Sequence, residues 1–364
     1  MPAPTHGPTE APAPGGAREP SRGGALRDRH GRVATDLRVS LTDRCNLRCT
    51  YCMPEAGLPW LPKPTLLDDD EVIRLVGIAV RDLGVREVRF TGGEPLLRPG
   101  LPGIVAAVAK LDPRPEISLT TNAIGLDRIA GPLVEAGLDR VNVSLDTLDP
   151  GRFKELAKRD RLDATLRGLE AAAASGLAPI KINTVLMRGV NDDEAPELLR
   201  FAIEHGYQLR FIEQMPLDAG GVWRREEMVT AAEILESLRG EFDLTPDPAH
   251  RGSAPAETWL VDGASAKDGS SAKDGGPVKV GVIGSVTRPF CGDCDRTRLT
   301  ADGQVRNCLF ARGETDLRGL VRSGADDAAI AERWREAMWG KLPGHGIDDP
   351  SFLQPARPMS AIGG

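Results

Sequence analysis

No run of about 18 apolar residues occurs in the 364-residue chain, so no membrane-crossing helix is expected. The first 25 or so residues, mainly Pro, Ala, Gly, Thr and Glu, also lack the apolar stretch of a signal peptide. We expect residues 1–27 to form a disordered extension, because this composition buries too little surface to offset its conformational entropy. A basic footprint is missing as well. Lys and Arg number 46 against 53 Asp and Glu, a net charge of −7, which argues against general nucleic acid binding and leaves only local basic pockets open. Six cysteines without a secretion signal fit a reducing, cytoplasmic compartment better than a disulfide framework. What remains is a chain with 40% hydrophobic residues, long enough for one large domain or two ordinary ones.

The cysteines fall into two groups of three. Cys45, Cys49 and Cys52 lie at C-x3-C-x2-C spacing directly after a strand-like run at 37–40. Thiolates so spaced can ligate three irons of a [4Fe-4S] cube from one loop, leaving the fourth iron open for reaction. A disulfide pair with a spare thiol, a partial zinc site and ordinary buried cysteines are the alternatives. Cys291, Cys294 and Cys308 form the second group, C-x2-C-x13-C. Zinc with a histidine is the alternative there, but of the five histidines only His345 lies downstream, and none has close zinc-ligand spacing.

Between the groups, strand-like segments at 37–40, 87–91, 116–121, 140–146, 179–185 and 208–213 alternate with helical ones. Over 71–83, for instance, Val72, Leu75, Val76, Ala79, Val80 and Leu83 make one apolar stripe. Strand then helix, six times, predicts an α/β fold with parallel strands inside, a partial (β/α)6 barrel. Side chains alternate along a strand, so Arg38 and Ser40, Arg89 and Thr91, Ser118 and Thr120, Asn142, Ser144 and Asp146, Lys181 and Asn183, and Arg210 face away from the helices, into the lumen. Unpaired buried charge is costly. Arg38, Arg89, Lys181 and Arg210 therefore suggest an anionic ligand, with salt bridges to Glu87, Glu116 or Glu213 as the alternative.

Chemistry in β/α barrels sits at the carboxyl ends of the strands. The cysteine loop is there, and Gly92-Gly93-Glu94-Pro95 follows the second strand, offering close backbone approach and a carboxylate to accept from an amino group. Beyond about residue 217 the alternation breaks down. Residues 252–277, with Ser265-Ala-Lys-Asp-Gly269 repeated at 271–275, are expected to be a flexible insertion, followed by a strand at 278–283. A helix over 326–339 places Ile330, Trp334 and Met338 in the core. We divide the chain into the extension, a barrel portion at 28–250 and a C-terminal portion at 251–364.

The C-x3-C-x2-C loop with Tyr51 between its last two cysteines, followed by Met53-Pro54 and the downstream Gly-Gly-Glu, resembles the radical S-adenosylmethionine (SAM) superfamily. With the second triad and the terminal Gly363-Gly364, the chain from about Arg29 onward is similar to the GTP 3',8-cyclase family, which acts first in molybdenum cofactor biosynthesis. The resemblance implies two [4Fe-4S] clusters, one on each triad, and a 5'-deoxyadenosyl radical from SAM that takes hydrogen from the GTP ribose. It assigns SAM contacts to Tyr51, Gly93, Ser144 and Met215, and GTP contacts to Arg38, Arg89, Thr120, Lys181, Arg296, Thr297 and Arg298. It further implies that the Gly-Gly tail reaches the active site, that an external one-electron reductant is needed, and that a cyclic pyranopterin monophosphate synthase acts downstream. A homodimer is compatible with it. Ala123 departs from the family, which usually has Gly there, and the loop is expected to be shaped differently. The rivals are a peptide-modifying radical SAM maturase, which commonly has more C-terminal cysteines, and a redox-sensing or zinc protein with structural thiols.

Overall fold

The computed structural model describes residues 24–262 and 277–363. Nearly all of the extension, the repeat at 265–275 and Gly364 lie outside the described residues. One sheet organises the rest. In chain order its strands are β1 (Asp36–Ser40), β2 (Glu87–Thr91), β3 (Glu116–Thr121), β4 (Arg140–Ser144), β5 (Ile180–Val185), β6 (Gln208–Ile212), β7 (Leu244–Pro246), β8 (Glu257–Val261), β9 (Lys279–Ile283), β10 (Arg296–Leu299), β11 (Gln304–Arg306) and β12 (Thr315–Asp316). Their spatial order is β12-β11-β10-β1-β2-β3-β4-β5-β6-β9-β8-β7, and the two end strands are not paired with each other, so the barrel is partial.

The six expected strands occupy their places within a residue or two, in parallel register. The C-terminal region adds to both sides of them. β10 pairs parallel with β1 and β9 pairs parallel with β6. Eight strands are therefore parallel, with antiparallel pairs β11-β12 and β8-β7 finishing the edges.

The strand residues of opposite parity to the polar ones, Leu37, Val39, Val88, Phe90, Ile117, Leu119, Val141, Val143, Ile182, Leu209 and Phe211, are buried under the helices. Helix α1 (Asp69–Arg81) starts two residues before the apolar stripe because Asp68 and Glu71 form a capping box. All six residues of the stripe are buried, the last lying beyond the helix end. The remaining helices are α2 (Leu101–Val108), α3 (Leu126–Glu135), α4 (Pro150–Ala157), α5 (Leu162–Ala174), α6 (Ala195–His205), α7 (Ala231–Arg239), α8 (Arg318–Arg322), α9 (Asp327–Trp339) and α10 (Met359–Ile362). In α9, Ile330, Trp334 and Met338 are in the core as expected.

Three local expectations need correction. Residues 257–261, placed in the flexible insertion, form strand β8, because Thr258, Trp259, Leu260 and Val261 are good strand formers beside a Ser/Ala/Asp/Gly stretch that dominates the composition. Leu26, placed in the disordered extension, is fully buried and pairs with Ala34. Ala123 does adopt the left-handed conformation, at φ 62°, so the loop keeps the shape a glycine there would give it.

Candidate functional site

Across the middle of the sheet, Arg298, Arg38 and Arg89 are register partners on three adjacent strands, β10, β1 and β2. Neighbouring strands lie about 4.8 Å apart, so three guanidinium groups share one face at close range. Lys181 on β5 pairs in register with Asn142 on β4, and Arg210 on β6 with Asn183 on β5, extending the cationic face around the curve. The anticipated neutralising carboxylates are engaged elsewhere: Arg140 takes both Glu87 and Glu116. Glu213 accepts from the backbone N–H of Ala231, Val286 and Thr287. Asp36 lies 3.6 Å from both Arg38 and Arg296, and Asp295 lies 3.6 Å from Arg296.

Asp36 has the parity of Arg38, because the strand begins one residue earlier than its apolar run suggests. Burial pushes its carboxyl up, but Arg38, Arg89, Arg296 and Arg298 outweigh that and hold it below the ordinary range. The cations are lowered as well, which for them disfavours the charged form. Burial, then repulsion from neighbouring arginines, lowers Lys181 to about 8 and Arg210 and Arg298 to about 9. Arg89 falls well below its usual value for the same reasons, chiefly burial. A lumen in which the bases resist their own protonation is set up to take a polyanion.

Polar side chains fix the cations. Arg89 Nε donates to Ser118 Oγ at 3.2 Å. Arg210 Nη2 donates to Asn142 Oδ1 at 2.8 Å, and Asn142 Nδ2 donates to Thr120 Oγ1 at 3.3 Å. Thr120 thereby acts as acceptor to Asn142, which leaves its own hydroxyl proton to donate to a ligand. Gly281 makes room for Arg210, since a Cβ there would lie 2.9 Å from Arg210 Cγ. Thr297 behaves differently from its two arginine neighbours: its hydroxyl accepts from the Trp334 indole at 3.0 Å, on the helix side, and only its backbone is left for a lumen ligand.

The Cys45–Cys52 loop leaves the carboxyl end of β1. Arg48 N–H and Thr50 N–H donate to Ala157 O and Leu156 O at the end of α4, which fixes the loop. All six cysteines are free thiols, so the disulfide alternative is not realised. Within each triad the sulfurs are close enough to influence one another electrostatically. Among the described residues no group of three or more His, Cys, Asp and Glu is gathered as a single-ion site. Burial pushes Cys45 up to about 11 and Cys52 up to about 12, and Cys49 well above its usual value. Three half-buried free cysteines on one loop supply the sulfur donors that a multi-iron group takes. The first triad receives neutral donors, Leu47 N–H at 3.4 Å and Asn122 Nδ2 at 3.8 Å from Cys45 Sγ. Tyr51 OH donates to Asp146 Oδ2 at 2.8 Å, and burial raises that carboxyl to about 6.

Gly92 and Gly93 are needed, but for a contact inside the protein. A Cβ on Gly93 would lie 2.2 Å from Arg44 O, and one on Gly92 2.5 Å from Thr42 O, so these glycines let the second loop lie on the cysteine loop. The Glu94 carboxylate is occupied too. It accepts from Thr121 Oγ1 at 2.7 Å, Asn122 N–H at 2.8 Å and Leu96 N–H at 3.0 Å, and so serves the loop rather than standing free for an amino group. Ser144 is half-buried on β4, and Met215 packs beside Met228, Val286 and Ile347.

The second triad follows β9 and flanks β10. At Cys294 burial raises the thiol, but Lys341 and Arg296 more than offset this and leave it below the ordinary thiol range. His345 meets Cys291 with its backbone N–H while its ring packs on Phe310, centroids 5.1 Å apart. The C-terminal segment reaches the first triad and the row of arginines. Ser360 N–H faces Cys52, and Arg298 Nη1 donates to Gly363 O at 2.5 Å. A Cβ on Gly363 would be 2.8 Å from Thr91 Cγ2, so the tail is seated tightly against β1 and β2.

The family models described as "Radical SAM superfamily" and "Molybdenum Cofactor Synthesis C" match residues 39–202 and 207–347. The chain is 67% identical over 340 residues to a GTP 3',8-cyclase of Streptomyces coelicolor, covering 93% of this chain and 96% of that one. It is 61% identical over 339 residues to GTP 3',8-cyclase 2 of Mycobacterium tuberculosis, covering 93% and 92%. Among solved structures, Streptococcus suis SuiB bound to S-adenosylmethionine aligns at TM-score 0.54 and 16% identity, over 86% of this chain and 67% of that one, a likeness of fold. No helix among the described residues is long and apolar enough to cross a membrane.

Proposed function

We infer how the site works from the premise that this chain belongs to the GTP 3',8-cyclase family of the radical SAM superfamily. The enzyme converts GTP to 3',8-cyclo-7,8-dihydro-GTP, the first step of molybdenum cofactor biosynthesis. What the two [4Fe-4S] clusters and SAM supply when bound is radical chemistry, in which a 5'-deoxyadenosyl radical removes the ribose 3' hydrogen.

The protein's own part is to hold and orient. Cys45, Cys49 and Cys52 would hold the first cluster, and Cys291, Cys294 and Cys308 the second. Tyr51, fixed by Asp146, and Gly93, Ser144 and Met215 would border SAM. Arg38, Arg89, Lys181, Arg296 and Arg298 would bind the GTP phosphates or base, Thr120 would donate its hydroxyl, and Thr297 would contribute backbone alone. The observation that carries this reading is the row Arg298–Arg38–Arg89 with Asp36 as the carboxylate beside it: a triphosphate relieves repulsion that the protein leaves in place. Held in this way, the ribose is kept in one orientation and away from water.

The barrel portion to about residue 250 and the C-terminal portion from 251 both line this lumen, so neither is active alone. An external one-electron reductant in a reducing cytoplasm, a downstream cyclic pyranopterin monophosphate synthase and a homodimer complete the proposal.

The test is anaerobic. Protein reconstituted with iron and sulfide, then given reductant and SAM, is assayed for 5'-deoxyadenosine and cyclised nucleotide with GTP, ATP or neither. Both products are expected only with GTP. SAM cleavage indifferent to nucleotide would remove the assigned GTP contacts, and zinc in place of iron with acid-labile sulfide would remove the cluster assignment.

A further inference from the structure

One buried positive charge beside the second triad is left without a role by the assignments above. Lys341 follows α9 by two residues and is buried. Its Nζ lies 3.0 Å from Cys294 O, 3.0 Å from Arg296 O and 3.3 Å from Cys294 Sγ. An ammonium has three N–H donors. These acceptors use all three, leaving none for GTP. Among the described residues, the one partner in this set able to carry a negative charge is the Cys294 sulfur. The contact therefore sets a buried positive group directly on one sulfur of the triad.

The segment carrying Lys341 is clamped to the cysteine loop. Arg32 donates through Nη1 to Cys291 O at 2.6 Å and Pro343 O at 3.0 Å, and through Nη2 to Leu342 O at 2.6 Å. Asp28 holds that guanidinium through a 2.5 Å contact to Nε. With the His345 N–H at Cys291, the stretch 341–345 gives a donor to two of the three sulfurs. Arg296 Nη1, at 3.8 Å from Cys294 Sγ, adds a second positive group. The donors to Cys45 in the first triad, by contrast, are neutral.

We propose that Lys341 is the positioning and charge-compensating residue of the second triad, holding the Cys294 sulfur in place and setting the reduction potential of the cluster bound there. This rests on the reading that Cys291, Cys294 and Cys308 hold a [4Fe-4S] cluster. Hydrogen bonds to ligand sulfur and net charge are what tune such potentials, and a cationic donor favours the reduced cluster. Lys341 Nζ has its three donors on protein acceptors.

Full-length Lys341→Met and Lys341→Gln are reconstituted and titrated anaerobically, with EPR following each cluster. A variant with Cys45, Cys49 and Cys52 replaced by Ser identifies the second-cluster signal. The second-cluster midpoint is expected to fall in the Met variant and to a smaller extent in the Gln variant, while the first-cluster midpoint stays fixed. Unchanged second-cluster midpoint and spectrum in both variants would overturn the proposal. If either substitution prevents loading, wild-type protein labelled with 15N-lysine decides by pulsed EPR. One lysine nitrogen coupled to the reduced second cluster supports the proposal, and no coupling overturns it. Wild type that carries iron and sulfide for the first cluster alone would instead refute the underlying reading.

Discussion

Replacing Lys181 by Met removes a charge that burial and the neighbouring arginines penalise. Burial, followed by repulsion from Arg210, Arg140 and Arg89, lowers this ammonium from 10.5 to about 8. At about 1.4 kcal/mol for each tenfold change in proton affinity, keeping Lys181 charged at pH 7 costs the folded state about 3 kcal/mol. Solvent reaching the half-buried side chain reduces this, to about 2 kcal/mol. Because the folded value lies below the unfolded one, the cost is fully present below pH 8 and fades as pH rises towards 10.5. Lys181→Met is therefore expected to melt several degrees above wild type at pH 7 without nucleotide, with the gain shrinking by pH 10. Added GTP, which stabilises by binding the folded state, should raise the melting temperature of the variant less than that of wild type. Anaerobic thermal unfolding at three pH values, with and without GTP, checks both parts. A variant less stable than wild type at pH 7, or a gain independent of pH, would refute the electrostatic reasoning; equal stabilisation by GTP would refute the contact.

Thr297→Val should cost about 1–3 kcal/mol, the usual penalty for a buried donor left unpaired, because the Trp334 indole loses its acceptor. The KM for GTP should stay within about twofold; a tenfold rise at unchanged melting temperature would place the hydroxyl in the lumen instead. Deleting Gly363 and Gly364 removes the carbonyl that Arg298 holds. Turnover should fall with iron and sulfide content unchanged, and full activity would show that the seated tail is dispensable.

The barrel was legible because a parallel strand covered by helices writes its two faces as alternate residues. Val141 and Val143 turned to the helices and Asn142 and Ser144 away from them, as parity requires. The cationic lumen followed from the same rule, and the structure adds Asp36 and the pairing of Arg140 with Glu87 and Glu116. What parity could not reveal was the function of residues set by packing. Gly93 lies against the backbone of Arg44 and Glu94 accepts from Thr121 and Asn122, contacts that no local pattern records. Thr297 shares a motif with two lumen arginines but, as the residue between them, points the other way. Lys341 carries no local signal, since its partners are 45 and 47 positions away.

The pairing of β10 with β1 also sets a timetable. Asp36 is opposite Arg296, about 260 residues later in the chain. At roughly 5–20 residues per second, a ribosome needs on the order of half a minute to supply that partner. Until then β1 has an unpaired outer edge, of the kind that invites pairing with other chains. The Cys45–Cys52 loop is meanwhile free of the tail that later seats beside it. In a growing chain the first thiols thus stay uncovered by the C-terminal segment until the last strands arrive.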